Sequence, residues 1–197
     1  MNKNTVAAAS VPAVSTRVIL GPRTRLSYVH IWEPKSINGG EPKYSLQAII
    51  PKDDLETVNR VKAAIEQAYH EGEALLKGKG SLPALSSLKT PLRDGDLDRP
   101  EDPVYAGCWF LNANSDKAPG VVDASRQPIL DRSEVYSGCY GWVSVSFYAF
   151  NTNGNRGIAC GLNNIMKVRD GEHLGGRISA EQEFAGLEFG GDEDFLK

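Results

Sequence analysis

The sequence predicts a mainly β fold, a five-stranded Greek-key barrel with one helix in the middle of the chain. Three observations carry that prediction. Alternating apolar residues mark strands on both sides of the chain's midpoint. One stretch after Pro51 switches to helical periodicity. No further helices recur between strands, which excludes a doubly wound α/β sheet. A β-sandwich is the competing architecture. At 197 residues, 41% hydrophobic and 24% charged, the chain is sized and composed for one globular domain rather than a fibrous repeat or a disordered polymer.

The elements follow in order. Val18, Ile19 and Leu20 open a strand region over 15–32, which bends at Gly21-Pro22; Leu26, Tyr28, His30 and Trp32 then share one parity. The turn Ile37-Asn38-Gly39-Gly40 leads to a hairpin partner over 43–50, where Tyr44, Leu46, Ala48 and Ile50 alternate. Asp53 is the expected helix N-cap, with Glu56 three residues on as a capping box requires. Leu55, Val58, Val61, Ile65, Ala68 and Leu76 form the helix's apolar stripe. Pro83, Pro91 and Pro100 and the turn Asp94-Gly95-Asp96 make 78–102 a long loop insertion. Strands return over 104–112, 120–123, 135–150 and 157–168. Gly138 and Gly141 predict a bend or bulge, and Asn151 to Asn155 a hairpin turn. This order fits a barrel of the oligonucleotide-binding (OB) type.

Charge divides the chain. Residues 179–197 hold six acids and one base, a net of -5, within a total of -3, so the preceding 178 residues carry +2. The expected organisation is a flexible arm over 1–15, the folded domain over 16–178 and an acidic tail over 179–197.

Most catalytic and metal-binding classes lack their residues. Cys108, Cys139 and Cys160 are odd in number and widely spaced, which argues for free thiols rather than a disulfide scaffold or a zinc knuckle. There is no phosphate loop and no dinucleotide fingerprint. His30, His70 and His173 are too scattered to predict a metal site, and no cofactor is implied. The most enzyme-like feature is Asp94, Asp96 and Asp98, whose alternating acids could gather Mg²⁺. A metal-dependent nuclease built on them is one alternative function, and a protein-binding adaptor domain is another. No apolar run is long enough for a membrane helix.

What remains is aromatic rings interleaved with bases, the chemistry of single-stranded nucleic-acid binding: rings stack on bases and cations track phosphates. The candidate rings are Tyr28, Trp32, Tyr105, Trp109, Tyr140, Trp142, Tyr148 and Phe150. The candidate cations are Arg17, Arg23, Arg25, Lys35, Lys43, Arg156, Lys167 and Arg169. Half or more of the rings are needed for a core. In 140–150, Val143, Val145 and Phe147 supply the inward set, leaving Trp142, Tyr148 and Phe150 outward, with Ser144 and Ser146 between them.

Three blocks, 102–114 (DPVYAGCWFLNAN), 135–151 (VYSGCYGWVSVSFYAFN) and 154–176 (GNRGIACGLNNIMKVRDGEHLGG), resemble a tailed-bacteriophage family of single-stranded-DNA-binding proteins. The resemblance runs from about Thr16 to Gly176. It implies an OB barrel with a mid-chain helix, no catalysis and a role in phage replication and recombination in the cytoplasm of the infected bacterium. It also implies that Asp192, Glu193, Asp194 and Phe195 form a tip that engages phage or host replication proteins, and it is compatible with homo-oligomers.

Overall fold

The computed structural model describes residues 14–36, 39–152 and 154–175. The arm up to residue 13 and the tail, with Asp192, Glu193, Asp194 and Phe195, lie outside the described residues. The elements are β1 (Arg17–Leu20), β2 (Arg25–Lys35), β3 (Lys43–Pro51), α1 (Leu55–Glu71), α2 (Glu73–Lys77), β4 (Arg93–Asp94), α3 (Gly95–Asp98), β5 (Cys108–Ser115), β6 (Gly120–Val122), β7 (Tyr140–Thr152) and β8 (Asn155–Arg169). The fold is mainly β with an OB-like topology. Eight strands are present among the described residues rather than five, because β1, β4 and β6 are short additions.

Antiparallel pairings join β2 to β3, β3 to β5 and β8 to β7. A parallel contact at Asn114 and Gly161 joins β5 to β8. β7 meets β2 at Tyr140 and Arg25, and the Leu26 and Gly138 backbones extend that seam. Inward residues of all the strands but β4 join the apolar face of α1 in one core, from Leu20, Leu46 and Leu111 to Val145, Ile165 and Val61. A smaller cluster of Ile49, Phe110 and Tyr105 lies apart from it. Tyr105, a candidate ring, is therefore packing material, edge-on to Phe110.

Two local expectations are corrected. The helix is capped by Asp54, whose carboxylate accepts from the Thr57 amide. Asp53 instead pairs with Arg23 at 2.9 Å. In β2 the single parity of Leu26, Tyr28, His30 and Trp32 does not hold. Its pairing with β3 shifts register between Ser27 and His30. Tyr28 there takes a positive φ of 46°, and Ile31 rather than His30 enters the core. In β7, by contrast, Val143, Val145 and Phe147 are buried as expected, and a register shift falls at Tyr140/Gly141. All three cysteines are free.

Candidate nucleic-acid interface

Outward parity on β3 and β5 brings Ser45 opposite Asn114 and Gln47 opposite Asn112. Leu46, Ala48, Leu111 and Ala113, between them, are core. The outer face of this pair is thus a polar amide and hydroxyl surface. It floors an open cleft of about 780 Å³, walled by Tyr28, His30 and Lys35 from β2, Lys43 from β3 and Arg99 from the segment after α3.

The floor continues around the molecule. The register pairs His30–Ser45, Ser45–Asn114, Asn114–Gly161, Gly161–Ser146 and Ser146–Arg17 form one unbroken row across six strands. At 4.7–4.9 Å per strand, the row spans about 24 Å. Asn163 adds an amide donating to the Ser146 hydroxyl at 2.9 Å. Two exposed rings flank it, one near the cleft end and one over β7 and β8. Tyr28, 54% exposed, overhangs the cleft, and Tyr148, 49% exposed, lies beside Gly161. Trp142 is also exposed on the Tyr148 face.

Electrostatics favour an anion at the cleft end. Arg99 lines the cleft with Tyr28, the neighbouring phenol raises the guanidinium pKa, and Arg99 lies 5.1 Å from the Tyr105 ring centre. Lys43 is tethered to Asp116 at 3.2 Å across an exposed edge, which leaves it accessible. Burial and then Lys35 push the His30 imidazole below its usual pKa, so it is neutral at pH 7.

The structure gathers only some of the predicted residues here. Tyr28, Lys35 and Lys43 meet in the cleft, and Trp142 and Tyr148 share the β7–β8 face with Arg17. Tyr140 lies under two guanidinium groups, Arg169 at 3.6 Å and Arg25 at 5.6 Å from its centre. Arg25 is meanwhile engaged by the Gly138 and Glu172 carbonyls. Lys167 is paired with Asp170 at 2.8 Å. Arg156 donates to the Leu76 carbonyl and is not among the residues lining the cleft. Arg23 is paired with Asp53. Trp32 and Trp109 pack against the main core, with Lys52 and Lys62 over the Trp109 ring. His30, Ser45, Gln47, Arg99, Asn112 and Asn114 were not among the candidates. The alternation of Ser45 and Gln47 with Leu46 and Ala48 was the available signal.

The acids of the proposed nuclease loop are already engaged. Lys52 bonds Asp94 at 2.5 Å and Asp96 at 2.7 Å, and Asp98 takes Arg93 at 2.7 Å. The Gly107 amide also donates to Asp96, and with Lys52 it holds that carboxyl below the usual range. These acids staple the segment that carries Arg99, and a metal would have to displace Lys52.

Known proteins share this fold. The structure is similar to that of the single-stranded-DNA-binding protein from bacteriophage Enc34 in complex with ssDNA, with a TM-score of 0.67 and 27% identity over 81% of this chain and 90% of that one. The T7 single-stranded-DNA-binding protein has a TM-score of 0.55 over 89% and 96% of the two chains, but at 16% identity it shows the fold alone. A putative protein p50 of Acyrthosiphon pisum secondary endosymbiont phage 1 is 30% identical over 177 residues, 87% of this chain and 95% of its own length. Residues 16–196 match the family model of the Enterobacter phage Enc34 ssDNA-binding protein, and the chain belongs to that family.

Proposed function

We infer that this chain is a non-catalytic, largely sequence-independent single-stranded-DNA-binding protein of phage replication and recombination. The observation that carries the reading is the continuous polar row flanked by the exposed rings of Tyr28 and Tyr148, with cations beside it. Bases would stack on Tyr28 and Tyr148, with Trp142 adjacent. Phosphates would meet Lys35, Lys43, Arg99 and Arg17. The Enc34 relative, described in complex with ssDNA, supports it.

We further propose that β2, β3, β5, β8 and β7 close a five-stranded OB barrel, since their pairings run in a ring. The folded domain would then reach about residue 178. The acidic tail would compete with DNA for the cleft and, when displaced, present Asp192, Glu193, Asp194 and Phe195 to phage or host replication proteins. Support comes from Gly175, the last described residue, which lines a small cavity together with Tyr28. Action in the cytoplasm of the infected bacterium accords with there being no helix among the described residues long and apolar enough to cross a membrane. Assembly into homo-oligomers belongs to the same reading.

A fluorescence titration with oligo-dT, with and without Mg²⁺, tests the function. Saturable binding without turnover is the expected result. Mg²⁺-dependent cleavage would restore the nuclease reading, and no binding would favour an adaptor.

A further inference from the structure

The cleft floor holds an oriented hydrogen-bond relay. Gln47 is 3% exposed, and both ends of its amide are committed. Its Oε1 accepts from the Tyr105 phenol. Its Nε2 donates to Asn112 Oδ1 at 2.8 Å. A phenol is a better donor than acceptor, and this one is fixed in the second apolar cluster against Phe110. The direction of the relay is therefore set from beneath: phenol to Gln47, Gln47 to Asn112. Asn112, the exposed end, has its carbonyl oxygen occupied from below. Its Nδ2 has no protein acceptor among the described residues and borders the cleft. An amide that could otherwise offer either face is held with its N–H donors outward.

We propose that Asn112 is a base-reading residue that favours bases presenting carbonyl oxygens, thymine above cytosine, with Gln47 and Tyr105 as its positioning residues. This rests on the reading that the cleft binds single-stranded DNA. Thymine offers O2 and O4 and no exocyclic amine, whereas cytosine places an N4 amine where thymine has O4. At the 4-position, N–H donors held outward meet an acceptor on thymine and a second donor on cytosine.

The test compares the full-length protein with Asn112→Asp and Asn112→Leu, binding oligo-dT and oligo-dC of about 15 nucleotides, near the upper site size for one such domain. The readout is the dT:dC affinity ratio in each variant relative to the starting protein, because stacking and backbone flexibility also give pyrimidine preferences and cancel in that comparison. Loss of one exposed hydrogen bond predicts a fall in the ratio of about three- to tenfold in Asn112→Leu. In Asn112→Asp one oxygen still accepts from Gln47 and the other turns the outward group into an acceptor. Both affinities fall through repulsion of phosphate, and the ratio swings toward dC. Gln47→Leu, checked for folding by thermal melting, should lower the ratio by releasing Asn112 to rotate. A ratio that stays the same in Asn112→Asp and Asn112→Leu overturns the inference while leaving DNA binding intact. Failure of the starting protein to bind either oligonucleotide overturns the functional reading itself.

Discussion

Truncating two neighbouring rings of β7 separates DNA binding from folding. Tyr148 is 49% exposed and Phe147 is 2% exposed. A fully enclosed aromatic buries roughly 200 Å². The enclosed half of Tyr148, at about 25 cal/mol per Å², is then worth about 2.5 kcal/mol as an upper bound. Alanine retains Cβ, so Tyr148→Ala should cost about 1–2 kcal/mol of stability, a drop in Tm of about 2–8 °C for a chain of this size. Phe147→Ala opens a cavity in the main core and should cost about 3–5 kcal/mol. Binding should reverse the order. Tyr148→Ala removes a stacking face worth about 1–3 kcal/mol, a rise in Kd of roughly 5- to 150-fold, whereas folded Phe147→Ala should keep the starting Kd. Thermal melts and oligo-dT titrations, the latter run well below the lower Tm, give both quantities. An unchanged Kd in Tyr148→Ala takes that ring off the DNA path. Equal loss of stability in the two variants contradicts the inward and outward assignment of β7.

Salt should weaken binding: four cations on the path predict a slope of log affinity against log salt of up to about -2.8, less because Lys43 is shared with Asp116; a flat plot would count against phosphate contacts. His30 has its pKa depressed by burial and then by Lys35, so the native state binds fewer protons than the unfolded chain near pH 6.5. The stability this contributes above that pH is lost as pH falls through the depressed value. Phosphate in the cleft favours the imidazolium, so DNA affinity should rise over the same window, and titrations of His30→Gln should show neither effect. Gly138 has φ 125° and its absent Cβ would strike the Glu172 carbonyl, so Gly138→Ala should cost roughly 1–3 kcal/mol or more and speed hydrogen exchange in 170–175, which Arg25 and Ser137 otherwise anchor. Removing residues 179–197, with their net -5, should strengthen ssDNA binding most at low salt; weaker binding by the truncated protein would end the competition model.

How much could be read beforehand depended on whether the controlling interaction was local. β7 was legible because its burial alternates without a break from Gly141 to Tyr148, and alternation is a property of neighbouring residues. β2 was not, because the register shift at Ser27/His30 leaves no mark that alternation can show. Long-range pairing hid the fate of the cations. Arg25 and Arg156 look like free charges in sequence, yet they donate to carbonyls that fold back from Glu172 and Leu76. The polar floor was visible as Ser45 and Gln47 alternating with Leu46 and Ala48. It carries no ring and no charge, and a search for stacking platforms and bases passes over it. The helix cap erred by one residue because Asp53 and Asp54 are equally competent, and only the approach of Arg23 to Asp53 decides between them.

The segment that sequence reads as a solvated loop instead explains where the cleft begins. α3 and the turn after it lie across the outer face of the β3–β5 pair at Ile49 and Phe110, adding Tyr105 to make the second apolar cluster. Without that cover, Ile49 and Phe110 would face water. The cover stops at the next outward pair, Gln47 and Asn112, and from there the outer face is polar and open. Arg99 stands at the boundary, over the rings of Tyr105 and Phe110 on one side and in the cleft lining with Tyr28 on the other. Lys52 with Asp94 and Asp96, and Arg93 with Asp98, fix the segment at its start. The acids that resembled a metal site thus work at one remove: they place the wall, and the wall places Arg99 in the cleft lining with Tyr28. Their pairing with Lys52 is what keeps a loop of mixed charge from remaining solvated, and it converts a β-sheet face that would need burying into one edge of a binding cleft.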